Sequence, residues 1–381
     1  MKPTTAVLAE KLAGLRQQDK LRHLPTVGTG IDFWSNDYLG IARDFPAVSS
    51  SAGGATGSRL ISGNAPEYLA IEADIATFHG AEAALVFNSG YTANLGLLSA
   101  VPQRGDVILY DQLIHASLRD GIRLGGLAKA YNFRHNDLDH LRERLQKASG
   151  RVFVVTEAIF SMDGDAAPLV EMATLCATYD AALIVDEAHS VGLYGQQGRG
   201  LVSELDLETL VFARIVTYGK AMGCHGAAIL GSRTLIDFLI NTSRPFIYST
   251  GPSPHAWATI KQAYDTLQAE HGKRFGALQD NIKQFKQLQG VGVCNGSSAD
   301  PETTAKESAY ATWLHPIQLI NCPGNERVLA VEAALRSQGV LVKAIRHPTV
   351  AVGQERIRIC LHAFNTQDEI SWLINLLQDA H

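Results

Sequence analysis

The sequence predicts an α/β fold: a large domain on a mostly parallel sheet, followed by a smaller α+β C-terminal domain. Two observations carry this. From about residue 66 to 230, short apolar runs alternate with segments of helical spacing, the pattern of a sheet covered by helices on both faces. After "STGPSPHAW" the alternation gives way to a long polar-faced helix and then to separate strand-like runs, the texture of an α+β unit.

The composition permits such a core. Of 381 residues, 46% are hydrophobic and 19% charged, which favours a packed chain over a disordered one. A formal net charge of −5 gives no reason to expect nucleic acid or an anionic membrane as partner. No apolar run approaches the ~20 residues of a membrane span. The five cysteines, Cys176, Cys224, Cys294, Cys322 and Cys360, are scattered and read as reduced core thiols of a cytoplasmic protein.

The elements follow the chain. "MKPTTAVLAEKLAGLRQQDK" breaks its apolar residues with Lys and Glu and reads as an amphipathic surface helix, not a secretion signal. "EYLAIEADIATFHG" has helical spacing and stops on Gly80. "AALVF" is a short buried strand, and "NSGYTANLGLLSAV" a turn leading into a helix. Then come the strand "DVILY", the helical "LIHASLRDGIRLGG", the strand "AKAYNF", a polar helix near 137–148, the strand "RVFVVTEAI", a helix near 168–179, and the strands "AALIVDEAH" and "ARIVTYGK". The small domain has strand-like "HPIQLIN", "VLVKAI" and "ERIRICLHA" and helical "NERVLAVEAALRSQG" and "DEISWLINLLQDA". The expected division is 1–45 for an N-terminal helix and arm, 46–253 for the large domain and 254–381 for the small one.

In sheets of this kind ligands bind beyond the carboxyl ends of the strands, and polar groups gather there. The N–H groups of Ser89, Gly90 and Tyr91 open a helix and suit a phosphate; an N-capped strand–helix turn is the ordinary alternative. Asp186 ends an apolar strand with His189 three residues on, where a helix N-cap is equally reasonable. Singly, His115 is an ordinary helix histidine, and Glu157, Ser161 and Asp163 are ordinary turn residues. Lys220 follows an apolar strand and precedes a run of Gly, Ala and Cys. Burial there would lower its pKa and make it a nucleophile, whereas a snorkelling surface lysine is the bland reading. Together these groups fit pyridoxal 5′-phosphate. It has an aldehyde for Lys220, a phosphate for the helix N-terminus, a ring nitrogen for Asp186 and a phenolic oxygen for His189. The small residues after Lys220 would then keep space for the cofactor.

The motifs "SNDYLG", "GATGSRLISGN", "HASLRDG", "TEAIFSMDGD", "VDEAHSVGLYGQQGRG", "TYGKAMGCHGA" and "FIYST" resemble those of the α-oxoamine synthases, a family of fold-type-I pyridoxal phosphate enzymes. The resemblance runs in order from about residue 15 to 365. It implies a seven-stranded, mostly parallel sheet and a homodimer with active sites at the subunit interface. It also implies the following roles. Lys220 forms the Schiff base and then moves protons at the substrate Cα. Asp186 pairs with the pyridine nitrogen, His189 bonds the phenolic oxygen, and Ser161 lies close to it. His115 stacks on the ring. Gly90, Tyr91 and Thr217 hold the phosphate, joined by Ser249 and Thr250 of the partner subunit. Asn36 and Arg346, the latter in "AIRHPTV", grip the amino-acid carboxylate, and Arg22, matched more loosely, contacts the acyl substrate. The implied reaction is an acyl transfer that condenses an amino acid with an acyl-CoA or acyl carrier protein thioester and releases CO2. Among members, the motifs are most similar to those that join L-alanine to a pimeloyl thioester; glycine-using members are the alternative. Glu187 stands where other members also carry aspartate or serine, with no expected effect on the chemistry.

Overall fold

The structure is a computed structural model describing residues 4–18, 20–22, 29–45, 53–292 and 314–379. The chain divides into two compact units. One comprises residues 36–277 and 307–313, the other residues 1–35, 278–306 and 314–381.

The larger unit holds helix α2 (Pro66–His79), strand β2 (Ala83–Phe87), α3 (Gly90–Ala100), β3 (Val107–Asp111), α4 (Ala116–Gly125), β4 (Lys129–Phe133), α5 (Leu138–Lys147), β5 (Val152–Glu157), α6 (Leu169–Thr178) and β6 (Ala181–Asp186). These are followed by α7 (Leu201–Glu204), β7 (Val211–Thr217), β8 (Ala227–Gly231), α8 (Arg233–Thr242) and α9 (Arg244–Ile247). The seven strands form one sheet in the order β2-β8-β7-β6-β5-β3-β4. The strands β4, β3, β5, β6 and β7 pair in parallel, and β8 is antiparallel to both β7 and β2. Every residue of β2 and β5 is buried, which is why these strands read as unbroken apolar runs rather than as alternating ones.

Strand β8 is not among the strands expected from the sequence. Its residues, "AAILG", include two alanines and a glycine, which are weak strand formers, and they lie in the run assigned to cofactor clearance. The structure gives that run a different reason for being small. A Cβ on Gly223 would meet the Ala42 backbone nitrogen at 2.3 Å. One on Gly231 would meet Leu235 Cδ2 at 2.8 Å, and one on Gly192 would meet Ala221 Cβ at 2.7 Å. The glycines let chain pack on chain, and Gly223, at φ 66°, also needs the left-handed backbone.

Helix α10 (Pro254–Gly292) begins where the sequence texture changes and continues past the unit boundary at residues 277–278. The smaller unit contains α1 (Thr4–Gln17), the short parallel pair β1 (Ile31–Asp32) and β10 (Val340–Leu341), and a three-stranded antiparallel sheet. That sheet has the order β11 (Lys343–Ile345), β12 (Arg356–Cys360), β9 (Ile317–Asn321). Helices α11 (Asn325–Ser337) and α12 (Gln367–Asp379) complete it. The run read as one strand, "VLVKAI", is therefore divided between two sheets. Helix α1 forms as expected, but none of its residues is buried, and Leu8 and Leu12 are exposed. Cys176, Cys224, Cys322 and Cys360 are buried free thiols; Cys294 lies outside the described residues. Among the described residues no helix is long and apolar enough to cross a membrane.

Candidate active site

Five carboxyl ends of the large sheet, those of β2, β3, β5, β6 and β7, supply the candidate site. Asp186 is the last residue of β6 and lies in register between Glu157, the last of β5, and Ile215 of β7. It is buried, and its Oδ1 accepts from the Ala188 N–H at 2.9 Å. Its Oδ2 accepts from Asn94 Nδ2 at 2.7 Å. That amide also donates to Ser117 Oγ at 2.9 Å, so the hydroxyl proton is left for His115 Nδ1, 2.7 Å away. The Ser117 N–H points at the same nitrogen at 3.2 Å. His115 Nδ1 is thus an acceptor, and the neutral ring carries its proton on Nε2. Its pKa agrees. Partial burial pushes it below the ordinary histidine value; Asp186 and Asp120 pull it up, and the charge of Lys220 pushes it down.

His115 is the N-cap of α4, which fixes its backbone as firmly as Ser117 fixes its ring. Its N–H donates to Glu157 Oε1 at 2.6 Å. Lys220 is half-buried in the connection between β7 and β8. Its charge is felt by both His115 and Glu157.

The N-terminus of α3 follows β2. Ser89 caps it by accepting from the Thr92 N–H at 3.2 Å, and Thr92 reciprocates toward the Ser89 N–H. The N–H groups of Gly90 and Tyr91 find no acceptor among the described residues. Thr217, at the end of β7, faces them: a Cβ on Gly90 would meet Thr217 Oγ1 at 2.5 Å. Tyr91 is exposed, bonds Asp120 through its hydroxyl and sets its ring edge-on to His115 at 6.4 Å.

His189 is buried, with Nδ1 2.9 Å from the Tyr38 hydroxyl, which in turn donates to Asn36 Oδ1 at 3.1 Å. Asn36 and His189 are thereby tied into one chain. Ser161 is half-buried in the turn closed by the Ile159–Ala166 bridge. That turn is held by His135, whose ring lies 3.0 Å from Asp111 Oδ1 and 2.8 Å from Asp165 Oδ2. Ser249 is half-buried and Thr250 exposed. The Thr250 carbonyl accepts from Asn88 Nδ2 at 2.8 Å, and both residues line a small recess with Arg59 and Phe246 rather than with Lys220. Arg346 and Arg22 belong to the smaller unit, where Arg346 donates to the Leu21 carbonyl at 2.8 Å and Arg22 is exposed.

The aminotransferase class I and II family model matches residues 29–377. The 8-amino-7-oxononanoate synthase of Alkalilimnicola ehrlichii is 38% identical, over 92% of this chain and 88% of its own length. That of Emericella nidulans is 36% identical, over 95% and 92%. The chain belongs to the α-oxoamine synthases, within the class I and II aminotransferase family. Solved α-oxoamine synthases superpose on it. Serine palmitoyltransferase from S. paucimobilis matches with a TM-score of 0.84 at 25% identity, covering 98% of this chain and 96% of that one. The 8-amino-7-oxononanoate synthase from Francisella tularensis gives 0.72 at 27% identity, covering 92% and 97%.

The cofactor of an α-oxoamine synthase is pyridoxal phosphate, and the residues present fit it. The unused N–H groups of Gly90 and Tyr91, with the Thr217 hydroxyl packed against Gly90, suit a phosphate. A buried carboxylate with no cation within 4 Å among the described residues suits a protonated ring nitrogen. Three members of this α-oxoamine synthase site escaped the sequence reading: Asn94 and Ser117, which join His115 to Asp186, and Tyr38, which joins Asn36 to His189. Glu157 reads in the sequence as no more than turn chemistry. Tyr38 sits inside "SNDYLG" and Ser117 inside "HASLRDG", so the motifs held the signal; Asn94 had only its place one turn into α3.

Proposed function

We propose that this α-oxoamine synthase condenses L-alanine with a pimeloyl thioester, releasing CO2 and the thiol carrier, to give 8-amino-7-oxononanoate. The convergence of Lys220, Asp186 and His115 at neighbouring strand ends carries the chemical part of this reading. The curated relatives of that name carry the choice of substrates. Bound here, pyridoxal phosphate supplies an aldehyde for the amino acid and an electron sink for the bonds broken at its Cα. Lys220 holds the cofactor and moves the proton at the substrate Cα. Asp186, oriented by Asn94 and the Ala188 N–H, keeps the ring nitrogen protonated. His115, neutral and fixed by Ser117, covers one ring face and orients the Cα–H bond on the lysine side. His189 and Ser161 serve the phenolic oxygen. Ser89, Gly90, Tyr91 and Thr217 take the phosphate, with Ser249 and Thr250 reaching it from a second copy of the chain in a cytoplasmic homodimer. Asn36 and Arg346 hold the carboxylate of the amino acid, Arg346 as a bidentate fork, and Arg22 meets the acyl chain.

The likeness to serine palmitoyltransferase keeps a different amino acid and acyl group as the second reading. A panel of alanine, glycine and serine against pimeloyl and shorter or longer acyl thioesters, read by thiol release and product mass, decides. Alanine with pimeloyl thioester is expected to give product that has lost the carboxyl carbon; preference for glycine with a short acyl group overturns the substrates and leaves the site. The shared site is tested by mixing inactive Lys220→Ala chains with inactive chains carrying both Ser249→Ala and Thr250→Ala. Hybrids are expected to regain activity, and dead hybrids that still dimerise rule sharing out.

A further inference from the structure

Glu157 has no role in the mechanism above, yet it is a buried carboxyl among the strand ends of the site. It ends β5, is 3% exposed, and lies in register beside Asp186. Its Oε1 accepts from the His115 N–H at 2.6 Å, a direct bond from the cap of α4 to the end of β5 beside the indirect link through Ser117 and Asn94 to Asp186. We infer that Glu157 is a positioning residue, which anchors the first turn of α4, and with it the His115 ring, to the strand end beside Asp186. This rests on the reading of the site as one for pyridoxal phosphate.

The anchor acts best as a neutral acid. Asp186 on β6 and Asp111 at the end of β3 face it with like charge, and Asp111 is itself bonded to His135. Lys220 faces it with opposite charge. Burial is the largest influence and, with Asp186, pushes the Glu157 pKa up to about 8; Lys220 and the His115 N–H bring it only partly back. Neutral Glu157 leaves Asp186 as the one charged carboxylate next to the ring nitrogen. Ionised Glu157 adds a second, and raises the pKa of the Lys220 amine.

Glutamine copies the neutral acid: it keeps an oxygen for the His115 N–H and cannot ionise. Alanine removes the acceptor and leaves a buried N–H without a partner. The experiment uses the full chain and pyridoxal phosphate itself, following cofactor affinity at pH 7 and the pH titration of the bound cofactor's absorbance. Glu157→Gln is expected to bind within about twofold of wild type at pH 7 and to remove the part of the wild-type titration that falls near pH 8. Glu157→Ala is expected to bind about tenfold more weakly. Equal losses in both variants, or a titration step near pH 8 that survives in Glu157→Gln, would overturn the inference. If wild-type protein takes up no pyridoxal phosphate, the cofactor reading itself has failed; if it does and the variants disobey, only the role of Glu157 falls.

Discussion

Asp186 and Glu187 are consecutive and both buried, and they meet opposite surroundings. Glu187 is closed in by donors. Arg214 pairs with it at 2.6 Å, and the Ser190 hydroxyl and Val202 N–H bond it at 3.0 and 2.9 Å. Arg214 spends its remaining donors on the carbonyls of His79 and Arg199. Among the described residues Asp186 receives an amide and one N–H and forms no ion pair as close as that of Glu187; the carboxyl of Glu157 lies beside it, and the charge of Lys220 is felt by Glu157 and His115. A charge whose partners are all within the protein holds the fold together. A charge short of a cation is a place for a ligand to supply one. The two residues alternate to opposite sides at the strand end, so Glu187 faces Arg214 while Asp186 faces the proposed site.

Substitutions on the two sides should therefore fail in different ways. On the chemical side, Lys220→Ala should cost about 10^4-fold in turnover and abolish the borohydride-fixed pyridoxyl adduct, with an unchanged urea midpoint. An adduct on another lysine would refute the assignment. On the structural side, Arg214→Ala strands Glu187 and should lower stability by about 3–5 kcal/mol in urea unfolding. The pair Arg214→Met and Glu187→Leu should recover most of that loss. Asp186→Asn should fold normally, keep cofactor and lose about 10^2-fold in turnover; near-normal turnover would remove Asp186 from its role. A smaller effect comes from His135. Burial pushes its pKa down, but Asp111 and Asp165 overcome this and raise it to about 10. Its stabilisation is fully present below about 6.5 and lost as pH rises through about 10. His135→Gln should flatten the stability profile over that window. Least of all, Tyr38→Phe should cost about 1 kcal/mol, seen as a several-fold weaker grip on the amino acid with the fold intact.

What the sequence disclosed follows the same division. The parallel strands were legible because β2, β5 and the end of β6 are buried on both faces and spell continuous apolar runs. The candidate residues Lys220, Asp186, His189 and His115 could be named from motifs because strand-end chemistry is local; their roles are those proposed above. Glu157 was not: nothing within "TEAIF" tells that register sets its carboxyl beside Asp186 and under the His115 N–H. Asn94 and Tyr38 act through partners brought to them by tertiary packing. Strand β8 was hidden by its alanines and glycine, whose place in the sheet is decided by neighbours and not by propensity.

The sheet order also bears on how the protein is made. Strand β2, which leads into α3, lies at an edge and pairs only with β8, the last strand of the sheet to be synthesised. On the ribosome, α3 has no completed sheet to sit on until residue 231 has emerged. Such distant pairing is slow to form and leaves an apolar strand waiting. Uptake of pyridoxal phosphate should thus lag helix formation in refolding, and mark the moment at which the two ends of the domain have met.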